Sequence, residues 1–299
     1  MLDKSKIKLG IAPIGWVNDD MPELGAWIPF EQIISEAAEA GFEGTEVGNK
    51  YPKDPKVLKK ALAAFKLSIA SAWYSSYFTT EDDPTPTIEG FKKHMYFLKA
   101  MGCKVVVVAE CGHGIQGQMD TPVIPNKPEL DDDGWRQLAE GLDNIGGIAR
   151  DEDMKVVYHH HMGTVVQSRE EIDRLMSMTD PELVFLLADT GHITFSGGDP
   201  VSLIHDYADR IKHIHLKDIR ADVLQRVKDE DLSFLQAVKE GVFTVPGDGM
   251  IDYAPIFAEI EAMGYEGWLL VEAEQDPEKA NPLEYAQKAR EYIRELAGI

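Results

Sequence analysis

Ionisable side chains follow short apolar runs at several separate places in this sequence, each at the point where the run ends. These side chains are Glu46, Glu110, His159, His161, Asp189, His215 and Glu272. Burying several carboxylates together is costly unless a cation or hydrogen bonds compensate for the lost solvation. Carboxylates and neutral imidazoles together suit divalent ions such as Mn²⁺, Co²⁺, Zn²⁺ or Fe²⁺. If the fold brings the run ends together, the pattern therefore predicts a divalent-metal site.

Three consecutive histidines, in the segment VVYHHHMGT (156–164), follow one of these apolar runs. A strand alternates its side chains between two faces, so His159 and His161 should point together and His160 away. We therefore expect His159 or His161 to enter a site and His160 to be structural. A bulge in the strand would shift these assignments by one residue.

Other polar and aromatic side chains near run ends are weaker indications, because an ordinary structural role also explains each of them. Asp189 could cap a helix, and His192 could be a simple loop histidine. The side chain of Lys217 should lie on the same strand face as that of His215, two residues before it. Trp16 and Trp73 could form the wall of a sugar-sized pocket, but core packing explains each of them equally well.

Eight β-rich apolar runs alternate with amphipathic helical patterns and would position these side chains. The runs are IKLGIA (7–12), GTEVG (44–48), LSIASAW (67–73), KVVVVAE (104–110), KVVYHHH (155–161), LVFLLAD (183–189), IKHIHLK (211–217) and GWLLVEAE (267–274). The helical patterns cover 30–40, 54–65, 88–102, 134–153, 168–178, 200–208, 252–263 and 282–297. Nearly continuous apolar runs are typical of parallel strands covered on both faces.

Eight such alternations predict an α/β protein, a (β/α)8 TIM barrel, with residues 1–299 forming a single domain. In a barrel the strand ends converge on one mouth, which would bring the ionisable side chains together. A doubly wound open sheet is the alternative, but it often has a GxGxxG turn after its first strand, and this sequence has none there. Two long segments, 111–133 and 218–247, follow predicted strands, and the sequence leaves open whether they act as lids.

The chain is strongly acidic, with 52 acidic and 30 basic side chains and a net charge of −22. Such a surface repels nucleic acids and anionic membranes, so we expect neither as a partner. Only Cys103 and Cys111 occur, without a CxxC pair, and there is no signal-peptide-like segment and no run of 18 apolar residues. We therefore expect a cytoplasmic protein. A homo-oligomer is compatible with the exposed sides of barrel helices, although no diagnostic patch indicates one.

The strand-end motifs resemble the xylose-isomerase-like TIM-barrel superfamily, and the similarity extends over essentially the whole chain. They are ADTGH (188–192), HIHLKD (213–218), LLVEAE (269–274) and the run PGDGMIDYAPIFAEIEAMGYEGWLLVE (246–272). The superfamily includes ketose epimerases, endonuclease-IV-type repair enzymes and dehydroshikimate dehydratases. The resemblance implies one metal ion, with Asp189, His215 and Glu272 as three of its ligands. Most members have glutamate on strand five, whereas His159 occupies that position here and is expected to be the fourth ligand.

More narrowly, GIAPIGWVNDDMPELG (10–25) and YHHHMGTVVQ (158–167) are similar to the inosose dehydratase family. This similarity implies a lyase of myo-inositol catabolism whose substrate is a cyclic polyol ketone, scyllo-inosose. Loss of water through a metal-stabilised enediolate would give a trihydroxycyclohexane-1,2-dione. The expected ion is Mn²⁺ or Co²⁺, and assistance by a thiol such as glutathione is left open.

This chemistry needs a base for the α-proton and an acid for the departing β-hydroxyl. The candidates are His161, Lys217 and the ligand Glu272, which the sequence does not rank, while Glu46 could hydrogen-bond ring hydroxyls. Further substrate contacts are expected from His192, Trp16, Trp73 and Glu110.

Other functions fit parts of the same pattern. A sugar or inosose isomerase or epimerase shares the fold and the metal, but epimerases use a carboxylate on each face of the substrate, and His159 replaces one of them. An abasic-site endonuclease needs a basic surface, which a net charge of −22 disfavours. A non-catalytic metal- or ligand-binding barrel would bind an ion and turn over no inosose.

Overall fold

The computed structural model describes residues 1–299, in which eleven strands and eleven α-helices follow one another. The strands are β1 (Ile7–Ile11), β2 (Gly44–Thr45), β3 (Ser68–Ile69), β4 (Trp73–Ser76), β5 (Val105–Glu110), β6 (Lys155–His159), β7 (Val184–Asp189), β8 (Ile211–Leu216), β9 (Asp218–Ile219), β10 (Phe243–Thr244) and β11 (Gly267–Val271). The helices are α1 (Phe30–Glu39), α2 (Pro55–Ala63), α3 (Thr85–Met101), α4 (Asp132–Asp151), α5 (Arg169–Met178), α6 (Thr190–Phe195), α7 (Pro200–Asp206), α8 (Ala221–Asp229), α9 (Phe234–Lys239), α10 (Tyr253–Ala262) and α11 (Pro282–Ala297). None of these helices has both the length and the apolar character needed to cross a membrane.

Nine of the strands form one parallel sheet in the order β3-β2-β1-β11-β8-β7-β6-β5-β4. The first and last strands of the sheet in sequence, β1 and β11, pair with each other from Ile7–Gly267 onwards. The two strands at the ends of the sheet order, β3 and β4, are consecutive segments separated only by residues 70–72. They share one barrel position, so the nine strands fill eight positions. The predicted (β/α)8 barrel is confirmed.

The third barrel strand differs from the continuous strand predicted over 67–73. Its first segment pairs with β2, and its second segment pairs with β5. The chain thus changes hydrogen-bonding partner between Ile69 and Trp73, which divides the predicted strand in two. The interruption also leaves Ser71 outside both ladders, in a completely buried position at the barrel mouth.

Alternation within β5 shows how the apolar runs build two layers of core. Val105 and Val107 belong to a small cluster of buried side chains, whereas Val106 and Val108 belong to the main core cluster of 63 residues. Every residue of β5 is buried. A strand covered on both faces needs apolar residues at all positions, which explains the nearly continuous runs in the sequence. Eight helices, α1 to α5, α7, α10 and α11, occupy the eight predicted helical segments.

The segment 218–247 forms a packed structure, here called the cap. It contains the antiparallel pair β9–β10 and the helices α8 and α9. The neighbouring segment 111–133 pairs with it, because the backbone N–H of Val123 donates to the carbonyl of Leu232 over 3.1 Å. The two segments share an apolar cluster of 14 residues that is separate from the main core. Both long segments are therefore packed over the barrel.

Removing the ring of Phe234 should destabilise the cap. Phe234 is 1% exposed, and its ring centroid lies 5.0 Å from that of His161. Replacing a buried phenylalanine by alanine typically costs about 3–5 kcal/mol of unfolding free energy. We expect Phe234→Ala to lose stability in this range in urea unfolding, whereas Met250→Ala, at a half-exposed position, should change it by less than about 0.5 kcal/mol. Equally small effects of the two substitutions would contradict a packed cap.

Candidate metal centre and active site

Four side chains from successive barrel strands meet at the barrel mouth, and we call them the metal cluster. His159 ends β6, Asp189 ends β7, His215 lies on β8 and Glu272 directly follows β11. One ligand atom from each residue lies within 4.8 Å of those of the other three. Oδ2 of Asp189 is 3.7 Å from Nε2 of His159 and 3.6 Å from Nδ1 of His215. Nδ1 of His215 also lies in close contact with Oε2 of Glu272.

Unpartnered polar atoms in this cluster show that it suits a cation. Asp189 Oδ2, His215 Nδ1 and Glu272 Oε2 are buried, and none of them makes a hydrogen bond of normal geometry. Such atoms are rare and costly in proteins, and several that converge on one point fit a bound cation. Two carboxylates and two imidazoles suit a divalent ion, and the lack of cysteine sets the cluster apart from structural zinc sites. The residues therefore fit a divalent metal.

The protonation states in the metal cluster follow from burial and neighbouring charges. Burial lowers the pKa of His159 well below its ordinary value, so this imidazole is neutral. Burial alone would raise the pKa of Asp189, but the ammonium of Lys217 and the side chain of His215 outweigh it and keep the carboxylate ionised. The pKa of His215 lies well above its ordinary value, because neighbouring carboxylates outweigh the effect of burial. A metal that binds here must displace a proton from His215.

A second cluster lies beside the first and contains its own cation. Nζ of Lys217 is 2.8 Å from Oε2 of Glu274 and 2.9 Å from Nε2 of His192. The same ammonium is 3.5 Å from each carboxylate of the metal cluster. Nε2 of His161 lies 3.8 Å from Oε1 of Glu274. Because Lys217 contacts the side chains of the second cluster more closely than the carboxylates of the first, the first cluster is the better metal site.

The three consecutive histidines separate into three environments. Nδ1 of His159 donates to the carbonyl of His160 over 2.6 Å, which leaves Nε2 for the metal cluster. Nε2 of His160 accepts the backbone N–H of Asp189 over 3.2 Å. Nδ1 of His161 donates to the carbonyl of Met162 over 2.8 Å, and its ring belongs to the second cluster. The structure thus places His159 and His161 at the mouth and His160 away from it.

A cavity of about 940 Å³ opens at both clusters. Its lining includes Glu46, His161, His215, Glu272 and Glu274, and further polar side chains such as Asp20, Asn49 and Gln116. Trp73 lines it as well, with its ring centroid 5.3 Å from that of His159. A wall of polar side chains and exposed aromatic rings, among them Trp73 and Tyr77, suits a small polyhydroxylated ligand.

Comparison with known proteins agrees with this geometry. Residues 34–296 match the family described as xylose isomerase-like TIM barrel. The whole chain is 60% identical to an inosose dehydratase of Clostridium beijerinckii and 58% identical to one of Geobacillus thermodenitrificans, and each alignment covers 100% of both chains. The chain belongs to the inosose dehydratase family.

Solved structures with the same fold are much less similar to this chain in sequence. One is a probable 3-DHS dehydratase from Bacillus anthracis, with 17% identity, a TM-score of 0.71 and coverage of 96% of this chain and 98% of that one. Another is an IOLI protein with a bound zinc atom, with 16% identity, a TM-score of 0.69 and coverage of 97% and 98%. These likenesses concern the fold.

Two residues expected to contact substrate lie elsewhere in this family member, and neither lines the cavity. Glu110 is completely buried, and its carboxylate accepts five hydrogen bonds from residues 76–79 and 112. Trp16 is buried and donates its indole N–H to Glu36. The expectation of substrate contacts from these residues is therefore corrected. Both residues lie near strand ends in the sequence. In the structure, however, Glu110 binds backbone and hydroxyl groups nearby, and Trp16 binds helix α1.

His192 and Lys217 also lie beneath the cavity wall, and both are completely buried. The ring of His192 lies behind that of His161, with 3.9 Å between their centroids. Two donors lie next to His192: the backbone N–H of Met162 is 3.3 Å from Nδ1, and the ammonium of Lys217 is next to Nε2. A neutral imidazole accepts only one hydrogen bond. The charged ammonium of Lys217 is the stronger donor. Direct contact of His192 with substrate and direct proton transfer by Lys217 stay predictions, and in the structure both side chains contact residues that line the cavity.

Sequence reasoning did not assign roles to Glu274, Ser71 or His213, which the structure brings into the site. Glu274 follows Glu272 by two residues, so strand alternation was a signal for it. His213 has the same relation to His215. No sequence pattern indicated Ser71, because only the interruption of the third strand brings its buried hydroxyl to the mouth.

The stability of the metal-free protein should depend on His160 at acidic pH. Burial lowers the pKa of His160 from 6.5 to about 4, and the neutral ring accepts the backbone N–H of Asp189. The unfolded chain takes up the proton first, so this contribution is complete above pH 6.5 and is lost as the pH falls towards 4. A shift of this size corresponds to about 3 kcal/mol.

We expect His160→Gln, whose amide oxygen can still accept the N–H of Asp189, to reduce the fall in unfolding free energy over this pH range. Urea unfolding at a series of pH values measures the effect. The exposed His113→Gln is the control and should leave the slope unchanged. Parallel curves for wild type and His160→Gln would contradict the assigned neutral state.

Proposed function

We propose that this protein is a divalent-metal-dependent hydro-lyase of the cytoplasm that removes water from scyllo-inosose in myo-inositol catabolism. The product would be a trihydroxycyclohexane-1,2-dione. The full-length identity of 60% to an inosose dehydratase carries the proposal. The metal cluster beneath a polar cavity supports it, because dehydration next to a carbonyl benefits from a cation at the carbonyl oxygen.

We assign the metal to His159, Asp189, His215 and Glu272, and we propose Mn²⁺ or Co²⁺ as the ion. Their mixed nitrogen and oxygen donors suit either ion. When bound, the ion supplies Lewis acidity that polarises the substrate carbonyl and stabilises negative charge on the enediolate. The zinc atom in the IOLI protein is a divalent ion on the same fold. Assistance by glutathione and assembly into a homo-oligomer stay predictions.

We assign proton transfer to His161, which lines the cavity next to the metal cluster. Nε2 takes the α-proton while Nδ1 keeps its hydrogen bond to the carbonyl of Met162. The resulting imidazolium faces Glu274 and gives the proton to the β-hydroxyl, which leaves as water. The enol that remains tautomerises to the 1,2-dione, so the net change is the loss of one water molecule.

Glu274 can stabilise that imidazolium because it is ionised. Burial would raise the pKa of Glu274, but the ammonium of Lys217 and the imidazole of His161 outweigh burial and lower it. Lys217 thus acts on the reaction through Glu274. The cap contributes by packing Phe234 against the ring of His161, with 5.0 Å between centroids, which limits the orientations open to the imidazole.

Removing the metal should abolish dehydration, and adding Mn²⁺ or Co²⁺ back should restore it. The ultraviolet absorbance of the dione during incubation with scyllo-inosose measures the activity. Asp189→Asn keeps an oxygen that can cap helix α6 but loses the charged ligand. We expect it to weaken metal binding by more than about 100-fold, since even outer-shell partners are worth 10–100-fold. Full activity after complete metal removal would refute the proposal.

His161→Gln should separate metal binding from chemistry. Because His161 is not in the metal cluster, we expect wild-type metal content, with kcat lower by about 10²–10⁴-fold from the loss of the proton carrier. Metal analysis and steady-state kinetics on the same sample measure both effects, and Asp189→Asn is the contrasting variant that loses the metal. Unchanged turnover in His161→Gln would reject the assigned role.

A further inference from the structure

His215 uses its two ring nitrogens in different directions. Nδ1 faces the metal cluster, 3.6 Å from Oδ2 of Asp189. Nε2 lies 3.2 Å from Oε1 of Glu46, on the opposite side of the ring. His215 is 2% exposed, so almost all of its ring is in contact with protein atoms. Its orientation is therefore fixed from behind by a carboxylate.

Glu46 is itself held in place by buried side chains. The hydroxyl of Ser71 donates to Oε1 of Glu46 over 2.5 Å. Nε2 of His213 lies 3.0 Å from that hydroxyl and 3.6 Å from Oε1 of Glu46. Both Ser71 and His213 are buried. The interruption between β3 and β4 is what brings Ser71 to this position.

Glu46, His213 and His215 also bring ligand atoms within 4.8 Å of one another, but these atoms do not form a second metal site. Oε1 of Glu46 already accepts from Ser71 and lies within hydrogen-bond distance of His215. The unpartnered nitrogen of His215 is Nδ1, which points to the metal cluster instead. The carboxylate of Glu46 therefore serves His215 and not an ion of its own.

We propose that Glu46 is a positioning residue for the metal centre, acting through His215. By accepting the Nε2 proton, Glu46 selects the tautomer whose lone pair is on Nδ1, where the metal cluster needs it. A carboxylate behind a ligating imidazole also makes that imidazole a stronger ligand. This inference rests on the metal site assigned under the proposed function and gives Glu46 a role other than hydrogen bonding to ring hydroxyls.

The other ligating imidazole provides an internal comparison. Nδ1 of His159 donates to the carbonyl of His160, so a neutral backbone group selects its tautomer. Only His215 has a charged partner behind it. Substitution of Glu46 therefore removes charge support from one ligand and leaves the other intact.

Metal affinity tests the inference directly. Dissociation constants for Mn²⁺ and Co²⁺, measured by competition with a chelating dye, are compared for wild type, Glu46→Ala and Glu46→Gln. We expect Glu46→Ala to weaken binding by about 10–100-fold. Glu46→Gln should lose less, because the amide oxygen still accepts from His215 although the charge is gone. The visible spectrum of the Co²⁺ protein should change in Glu46→Ala, since the orientation of His215 is released.

Glu36→Gln is the matched control. It removes the same charge at a half-buried site, where Glu36 accepts hydrogen bonds from Trp16 and Gln32, and it should leave the dissociation constants unchanged. Ser71→Ala, which loosens Glu46 without touching His215, should weaken binding by a smaller factor. Thermal melts of the metal-free proteins show whether each variant is folded. If Glu46→Ala does not fold, the metal affinities of Ser71→Ala and Glu46→Gln test the inference.

Wild-type affinity in folded Glu46→Ala, or in both milder variants, overturns the inference. The inference and the proposed function are tested separately. Metal affinity decides the role of Glu46, and turnover of inosose decides the function. A wild-type protein that binds metal but does not dehydrate inosose would refute only the function. A wild-type protein that binds neither ion would overturn both.

Discussion

The barrel mouth depends on one ammonium group that neutralises several buried carboxylates. Nζ of Lys217 lies 2.8 Å from Glu274 and 3.5 Å from both Asp189 and Glu272. Burial would lower the pKa of this lysine, but the carboxylates outweigh burial and raise it above its ordinary range. Without Lys217 the charges of the two clusters would repel one another in a region of low dielectric constant. The remaining negative charge is what favours a divalent ion next to it.

The fold protects this arrangement from both sides. Parallel strands deliver the side chains from below, since each strand ends at the same mouth. The cap closes the other side with aromatic rings, and Lys217 lies 4.7 Å from the ring centroid of Phe243. Water is thereby kept from the ammonium, which strengthens its interaction with Glu274 and, through Glu274, the environment of His161.

The sequence predicted well where each functional side chain lies along its strand, but it predicted poorly the direction in which that side chain points. Runs such as VVVVAE specify a strand buried on both faces, and eight of them leave little choice of architecture. Strand ends correctly marked Asp189 and His215 as neighbours. Glu110 also ends a strand, but its carboxylate binds mainly residues 76–79 at the end of the neighbouring strand β4, a choice of rotamer and local donors that no pattern of residue types reveals. Ser71 depends on a change of pairing partner within one strand, which is a tertiary effect.

The cation at the barrel mouth, Lys217, bears on the order in which the barrel would fold and bind a metal ion. Lys217 offsets much of the carboxylate charge, so folding of the barrel would not have to wait for a metal ion. An ion at the assigned site would then meet imidazoles that are already oriented, by Glu46 for His215 and by a backbone carbonyl for His159. Loading would therefore be a binding equilibrium of the folded protein, and the identity of the bound ion would depend on both the donor set and the concentrations of free divalent ions.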